Sequence, residues 1–387
     1  MLNVLHVIPS MSPEWGGPPV VVAEITSELA QQEVYSEIVT THGYRVGAGQ
    51  ITTPGVPIFS FETELPARLW AGYSRELFCF LDTKLVDFDL VHIHEIWHYP
   101  ACAAFCAARK YKLPYLFTIH GEISDWGLRQ RALKKKIYRL CILDRMLRKA
   151  NALHAITNME KHQLNKLGFE TPVAVIPNGV KSVAYNSLPD PSELVQRYPK
   201  LKGKRVVLFL GRLHPKKGLD TLARSFVKVA GYFDDVVLLV VGPNEAGTRE
   251  NMETILGSRG LLDKVVFTGL LTGKDKLAAM SCADLFVLPS HSDVLGLAVL
   301  EAMAARLPVI ITDACEFPEA AANGAGLVVE INDTQVADAI VKLLSDASLR
   351  KSMGQQGRKL VDERYTWRAS AIAMSKLYTS LVSHHAS

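Results

Sequence analysis

Two stretches of this chain place charged residues where they could handle an anionic sugar compound. In Gly-Arg-Leu-His-Pro-Lys-Lys-Gly, residues 211–218, Arg212 and Lys217 follow directly on the apolar run 205–210. Two cations on one strand-to-helix loop can bracket a diphosphate with charge-assisted hydrogen bonds. If that diphosphate were a leaving group, negative charge would build on it as its bond breaks. Fixed cations stabilise that charge more than they stabilise the ground state. The order is not that of a Walker A loop, because Gly-Lys-Ser/Thr is missing. The second stretch is residues 290–311, where Asp293 precedes Gly296 and Glu301 stands eight residues after Asp293. Carboxylates would not serve a phosphate, but they accept hydrogen bonds from sugar hydroxyls.

The elements needed to hold these groups are legible around them. Residues 284–289 form an apolar run that reads as a buried strand, and Gly296 permits a tight turn. Residues 297–306 are mostly helix formers, and 308–312 read as a further strand. Strand, loop, helix and strand make one βαβ unit, which aims helix N–H groups and a positive dipole end at the carboxyl edge of the sheet. Other strands are expected at 2–8, 36–41, 90–94, 115–119, 152–156 and 173–176, then at 205–210, 236–241, 265–268, 309–311 and 326–329. Helices are expected near 20–31, 333–345, 349–363 and 366–382. The alternation predicts doubly wound parallel sheets, in which ligands bind outside the carboxyl ends of the strands.

That rule sorts the remaining motifs. Asp87-Phe-Asp89 spells a metal–nucleotide motif but precedes its strand, which puts it at the wrong edge. His94-Glu-Ile-Trp-His98 spells the zinc-protease pattern, whose chemistry needs both histidines on one helix face. Here it follows a strand, and Pro100 biases Tyr99 away from helical geometry, so a helix starting after Pro100 is the more natural expectation. His120 ends its strand at the favoured edge, followed by Gly121, Glu122 and Asp125. Gly16 and Gly17 let the backbone approach a ligand closely. Residues 127–150 read as a long helix carrying Arg129, Arg131, Lys134, Lys135, Lys136, Arg139, Arg145, Arg148 and Lys149, opposed only by Asp144. Leu133, Ile137, Leu140 and Leu147 recur on it at helical spacing. Two readings stay open: a face drawn to anionic lipid, or a solvated helix whose apolar stripe packs on the sheet.

The stretch 290–311 resembles the signature of retaining glycosyltransferases of family 4, which have the GT-B fold. Asp293 stands where the family has its first Glu, and Leu295 where it has Phe; Gly296, Leu300, Glu301, Ala302, Met303 and Ala304 fit. Residues 211–218 resemble the second family signature, G-R-L-x-x-x-K-G. The resemblance covers nearly the whole chain. It implies an α/β protein of two Rossmann-like domains with parallel sheets facing across a cleft. Residues 1–180 would bind the acceptor and 181–365 the nucleotide sugar, and a last helix, 366–387, would cross back to the first domain. It implies transfer of a sugar from a nucleotide diphosphate to a hydroxyl with retained configuration, in bacterial surface polysaccharide or glycolipid assembly.

The resemblance also implies residue roles. Arg212 and Lys217 would neutralise the diphosphate, with Gly16, Gly17 and the amides near Gly296 and Leu297 approaching its oxygens. Glu301 would hold the ribose, and Asp293 and His120 would orient the sugar. Turns at Gly242 and Leu270 would surround the nucleoside. Nothing in the residues decides among uracil, guanine and adenine; as a donor class a UDP-sugar is favoured over a GDP-sugar, without metal. No obvious nucleophile stands in the motifs, so a front-face route is expected, the leaving phosphate taking the acceptor's proton. Three rivals remain: a sugar-nucleotide epimerase of the same fold, a zinc hydrolase on His94 and His98, and a non-catalytic nucleotide-sugar binder.

Composition sets outer bounds. The 387 residues suffice for two or three domains, and the net charge of +4 leaves no global nucleic-acid footprint. No apolar run approaches the ~18 residues of a membrane span. The start, MLNVLHVIPS, carries no basic region ahead of its apolar run and reads as fold rather than signal peptide. Six scattered cysteines without a CxxC pair fit reduced, mostly buried thiols in a cytoplasmic protein.

Overall fold

The computed structural model describes residues 1–43, 50–65, 70–130 and 132–386. Its contacts divide the chain into two compact units, Met1–Asn178 with Trp367–Ser387, and Gly179–Thr366. The first holds a parallel sheet of β1 (Leu2–Val7), β2 (Val34–His42), β3 (Ile58–Glu62), β4 (Leu90–His94), β5 (Tyr115–Thr118), β6 (Ala152–Ala155) and β7 (Val173–Val175), in the order β3-β2-β1-β4-β5-β6-β7. The second holds β8 (Arg205–Leu210), β9 (Val236–Val241), β10 (Val265–Gly269), β11 (Leu285–Leu288), β12 (Val309–Thr312) and β13 (Gly326–Val329), also parallel, in the order β10-β9-β8-β11-β12-β13.

Both sheets are covered on both faces, which is why their central strands read as unbroken apolar runs. Every residue of β9 and β11 is buried. In the first unit one face of β1 and β4, with Leu5, Val7, Val91 and Ile93, packs against Leu77 and Leu81 of the helix Arg75–Lys84 and Ala104 and Ala108 of the helix Tyr99–Lys110. The other face meets the helix Gly17–Leu29 and the last helix, Trp367–Ala386, which pack on each other.

Each sheet reverses its winding at one place, between β1 and β4 in the first and between β8 and β11 in the second. Crevices outside the carboxyl ends of such strand pairs receive ligands. Among the described residues, no helix is long and apolar enough to cross a membrane.

Several expectations need correction. β3 and the helix Arg75–Lys84 went unseen, because Ile-Phe-Ser-Phe-Glu is too short to show a period. Residues 181–204, for which no element was expected, fold into short helices of the second unit. The last helix, expected at 366–387, runs Trp367–Ala386, and His385 bonds the Lys112 carbonyl at 2.6 Å. The cysteines are free, but Cys79, Cys106 and Cys141 are exposed and only Cys315 is buried. The 127–150 helix is interrupted. It runs Asp125–Arg129, leaves helical geometry at Gln130, resumes at Ala132–Tyr138, widens to a π-turn at Arg139–Leu143 and ends at Asp144–Arg148. Arg131 lies outside the described residues.

Candidate active site

In the second unit the loops after β8 and β11 touch through backbone. Gly218 has φ +67° and lies so close to the Pro289 carbonyl that a Cβ there would sit 1.9 Å from its oxygen. His291 N–H donates to the Lys216 carbonyl at 2.8 Å. The 290s loop is sewn on its far side to the turn after β12, Asp293 N–H to Ala314 O and Leu295 N–H to Cys315 O.

This approach carries Lys217 to Asp293, 76 residues on, where Nζ donates to Oδ2 at 2.6 Å. The two side chains are 19% and 13% exposed. Burial pushes the Asp293 carboxyl up, but the charges of Lys217 and Lys216 outweigh it and hold its pKa below the ordinary value. Arg212 donates to both oxygens of Glu245, at 3.2 and 3.4 Å. Glu301 is paired with Lys276 at 2.7 Å. Glu245 and Lys276 were not singled out by sequence, because neither lies in a recognised motif and their partners stand 33 and 25 residues away along the chain.

Gly296 does not supply the turn. Its φ is −58°, and the left-handed residue is Leu295 at +44°, buried. Glycine is needed for space, since a Cβ would meet Asp293 Oδ2 at 2.7 Å. Leu297 opens the helix Leu297–Ala304, whose first amides lack intrahelical acceptors as at any helix start. Gly242 N–H donates to Gly269 O, which ties the turn after β9 to the one that presents exposed Leu270.

In the first unit Gly16 takes φ +103°, which only glycine adopts cheaply, while Gly17 has open space where a Cβ would stand. Trp15 beside them donates Nε1–H to Glu95 at 3.0 Å. Glu95 and His120, at the ends of β4 and β5, both have left-handed backbones, φ +64° and +54°. Such strain clusters at functional sites. Next to His120 the chain is pinned by Glu160, a fully buried carboxylate that accepts from Gly121 N–H at 2.6 Å and Ile156 N–H at 2.7 Å.

The His94–His98 motif does not form a helix. His94 ends β4, and His98 caps the helix Tyr99–Lys110. His94 bonds His6 and His120, whereas His98 faces Glu95 at 3.5 Å. Asp87 and Asp89 lie at the opposite edge, with Asp89 accepting from Asn3 N–H.

Register produces a group the sequence did not disclose. His6 pairs with His92, His94 with Thr118, and Thr118 with His154, all on one sheet face. The visible signal was His92-x-His94 at strand period. His154 Nε2 meets the Ile176 carbonyl, which can only accept, so Nε2 carries the proton. Thr118 therefore donates to His154 Nδ1 and accepts from His92 Nε2–H, and Tyr378 O–H donates to His92 Nδ1. Burial draws His6 and His120 down to about 3 and His154 to about 4, and holds His92 and His94 well below the ordinary value.

Comparison with known proteins fits this geometry. The family model for glycosyl transferases group 1 matches residues 191–360, and that for the glycosyl transferase 4-like domain matches 16–179. A phosphatidyl-myo-inositol mannosyltransferase of Mycobacterium leprae is 31% identical over 304 residues, 76% of this chain and 74% of that one. The chain is a group 1 glycosyl transferase. Its fold is that of sucrose-phosphate synthase from Thermosynechococcus elongatus (TM-score 0.83, 20% identity, 99% of this chain and 100% of the other). It also matches Anabaena HepE in complex with UDP and glucose (TM-score 0.80, 17% identity, 98% and 100%).

The buried imidazoles make this transferase acid-sensitive in a defined window. Their folded pKa values lie below the unfolded 6.5, so the unfolded chain binds more protons between about 4 and 6.5. Their contribution is fully present above pH 6.5 and is lost as pH falls, by at most ~1.4 kcal/mol per pH unit for each histidine. Urea unfolding of the first unit should show a lower midpoint at pH 5 than at pH 7. His6→Phe should flatten that dependence; an unchanged slope would contradict the assignment.

Proposed function

We propose that this glycosyl transferase moves a hexose from a nucleoside-diphosphate sugar to a hydroxyl acceptor with retention of anomeric configuration, in the assembly of a bacterial glycolipid or surface polysaccharide. The observation that carries the reading is the Lys217–Asp293 pair at the winding reversal of the second sheet, a cation and a carboxylate presented together beside the start of the helix Leu297–Ala304.

In this reading Lys217 and Arg212 hold the diphosphate, each positioned by its carboxylate partner. Asp293 and His120 accept and donate hydrogen bonds at sugar hydroxyls, and Glu301 takes the ribose. Gly16, Gly17 and the amides at Gly296 and Leu297 approach phosphate oxygens, and the turns at Gly242 and Leu270 border the nucleoside. The C1–O bond to the diphosphate breaks as the acceptor oxygen bonds C1 from the same face, and the acceptor's proton passes to a leaving phosphate oxygen. The fixed cations supply the charge stabilisation, so the reaction proceeds without metal.

The donor base is open to direct measurement. One fold neighbour was crystallised with UDP and glucose, and a Mycobacterium tuberculosis relative is described as GDP-mannose-dependent. UDP-sugars are the first donors to try. Thermal shifts with UDP, GDP and ADP, free and as hexose conjugates, should show one base raising the melting point. Ligand at a hundredfold over its Kd adds ~2.7 kcal/mol to the state that binds it. No shift with any of the three would overturn the nucleotide assignment, and turnover of donor alone to a new sugar nucleotide would favour the epimerase.

Lys217→Ala would strand the partly buried Asp293. Lys217→Gln keeps a donor toward Asp293 while removing the charge. It should lower kcat for transfer by ~100-fold or more, with a melting point close to the parent's; parental kcat would remove Lys217 from the diphosphate.

The acceptor side favours a lipid surface. The apolar stripe of the basic segment divides: Leu147 is buried in the core under the sheet, whereas Leu133, Ile137 and Leu140 are 74%, 55% and 71% exposed. Exposed Lys134 and Lys136 stand among them. An apolar, basic face of this kind suits the anionic inner face of a membrane. Co-sedimentation with vesicles rich in anionic lipid, absent with neutral ones and abolished by Leu133→Asp with Leu140→Asp, is the expected result. Equal binding by that variant would overturn it.

A further inference from the structure

Three histidines lie end to end in the first unit. His6 Nδ1 is 3.1 Å from His94 Nε2, and His94 Nδ1 is 3.1 Å from His120 Nε2. His6 and His94 are buried, and His120 is half-buried at the carboxyl edge of β5. The chain therefore starts deep in the sheet and ends on a residue already assigned to the sugar.

Neutral imidazoles in such a row must all point the same way, because each internal hydrogen bond needs one N–H and one bare nitrogen. Two polarities satisfy the row. If protons point outward, His6 Nδ1–H donates to His94, His94 Nδ1–H donates to His120 Nε2, and His120 carries its own proton on Nδ1. If they point inward, His120 donates from Nε2 and His6 is left with a proton on Nε2. The inner end decides between them. His6 Nε2 is buried and has no partner among the described residues. A buried orphan N–H is rarer and dearer than an under-used acceptor, so the outward polarity is favoured.

We propose that His94 and His6 are positioning residues for the sugar-binding His120. By this relay they lock it as the Nδ1–H tautomer, so that it presents a hydrogen-bond donor to a sugar hydroxyl. The proposal rests on the reading of His120 given above. The second set of bonds, from Tyr378 through His92, Thr118 and His154 to the Ile176 carbonyl, keeps the neighbouring rings from breaking the row, since both nitrogens of His92 are committed to other partners. That commitment also argues against a metal ion shared by His6, His92 and His94, although their ligand atoms lie within 4.8 Å of one another. All of the rings stay neutral because burial holds their pKa values far below neutrality.

The backbone supports the same end. His120 and Gly121 are both left-handed, and Glu160 pins the Gly121 amide. His120 is thus fixed twice, in position through its backbone and in tautomer through its ring.

The test reads the tautomer directly. Full-length protein with 15N-labelled histidine, without ligand at pH 7.5, gives each ring's protonated nitrogen from long-range 1H–15N spectra; His120→Gln assigns the signal. The expected result is His120 protonated on Nδ1 in the parent. In His94→Phe, which keeps ring volume but removes both bonds, it should become a mixture weighted toward Nε2. His6→Phe, which frees the far end of the row, should give a smaller shift in the same direction and stands in should His94→Phe not fold. A parent His120 protonated on Nε2, or variants with an unchanged tautomer, would overturn the relay. In transfer assays the same variants should lose kcat by ~10- to 100-fold with donor KM within about threefold, as expected when orientation rather than affinity is lost. A shifted tautomer with parental kcat would overturn the positioning role. Absence of any transfer by the parent would count against the transferase reading alone, since the spectra need no activity.

Discussion

Where the chain passes Gly218 there is no room for a side chain, because the Pro289 carbonyl occupies the place a Cβ would take. The second unit's candidate site depends on that approach. It lets the loops after β8 and β11 share a backbone hydrogen bond, and it sets Lys217 against Asp293. A lysine and an aspartate that meet at 2.6 Å with little exposure hold each other in a fixed geometry. Neither would be held so well on a loop alone, since a long side chain in water spreads over many rotamers. The glycine is thus a requirement of the chemistry as much as of the fold.

Pairing is the common device in this unit. Arg212 rests on Glu245 and Lys276 on Glu301 in the same manner as Lys217 on Asp293. The Arg212–Glu245 pair, about a third exposed, adds little stability, and the less exposed Lys217–Asp293 and Lys276–Glu301 pairs fix the orientation of their members. Arg212 and Lys217, after β8, are aimed by carboxylates after β9 and β11, whereas Glu301 and Lys276 meet helix to helix.

The first unit holds its site by other means. Its carboxyl edge is strained at Glu95 and His120, and the strain is anchored by the buried carboxylate of Glu160 and by Trp15. Beneath it lies a layer of neutral histidines joined by hydrogen bonds across β1, β4, β5 and β6. Uncharged imidazoles can be buried at modest cost only if their nitrogens find partners. Among the described residues the fully buried nitrogens of this layer do, save His6 Nε2. The same burial ties the stability of this unit to pH.

Much of this was legible from the residues. Unbroken aliphatic runs such as 236–241 can only be strands covered on both faces, and the observed β9 has those bounds. The two charged motifs, the strand-end place of His120 and the rejection of Asp87-Phe-Asp89 all follow from which residues come after a strand and which before it. That information is local and needs no partner. The reading failed where partners decide. Gly296 looked like the turn residue, yet Leu295 makes the turn and Gly296 makes room for Asp293. Glu301 was legible as a site carboxylate, but its partner Lys276 was not. The basic stretch looked like one helix and breaks at Gln130. By itself the sequence determined the types of chemistry and the edges at which they stand, because helix and strand periods are written in successive residues. Only the tertiary structure decided which edges adjoin, because strand order and register bring together residues dozens of positions apart, as with His6 and His92, and no spacing along the chain encodes that.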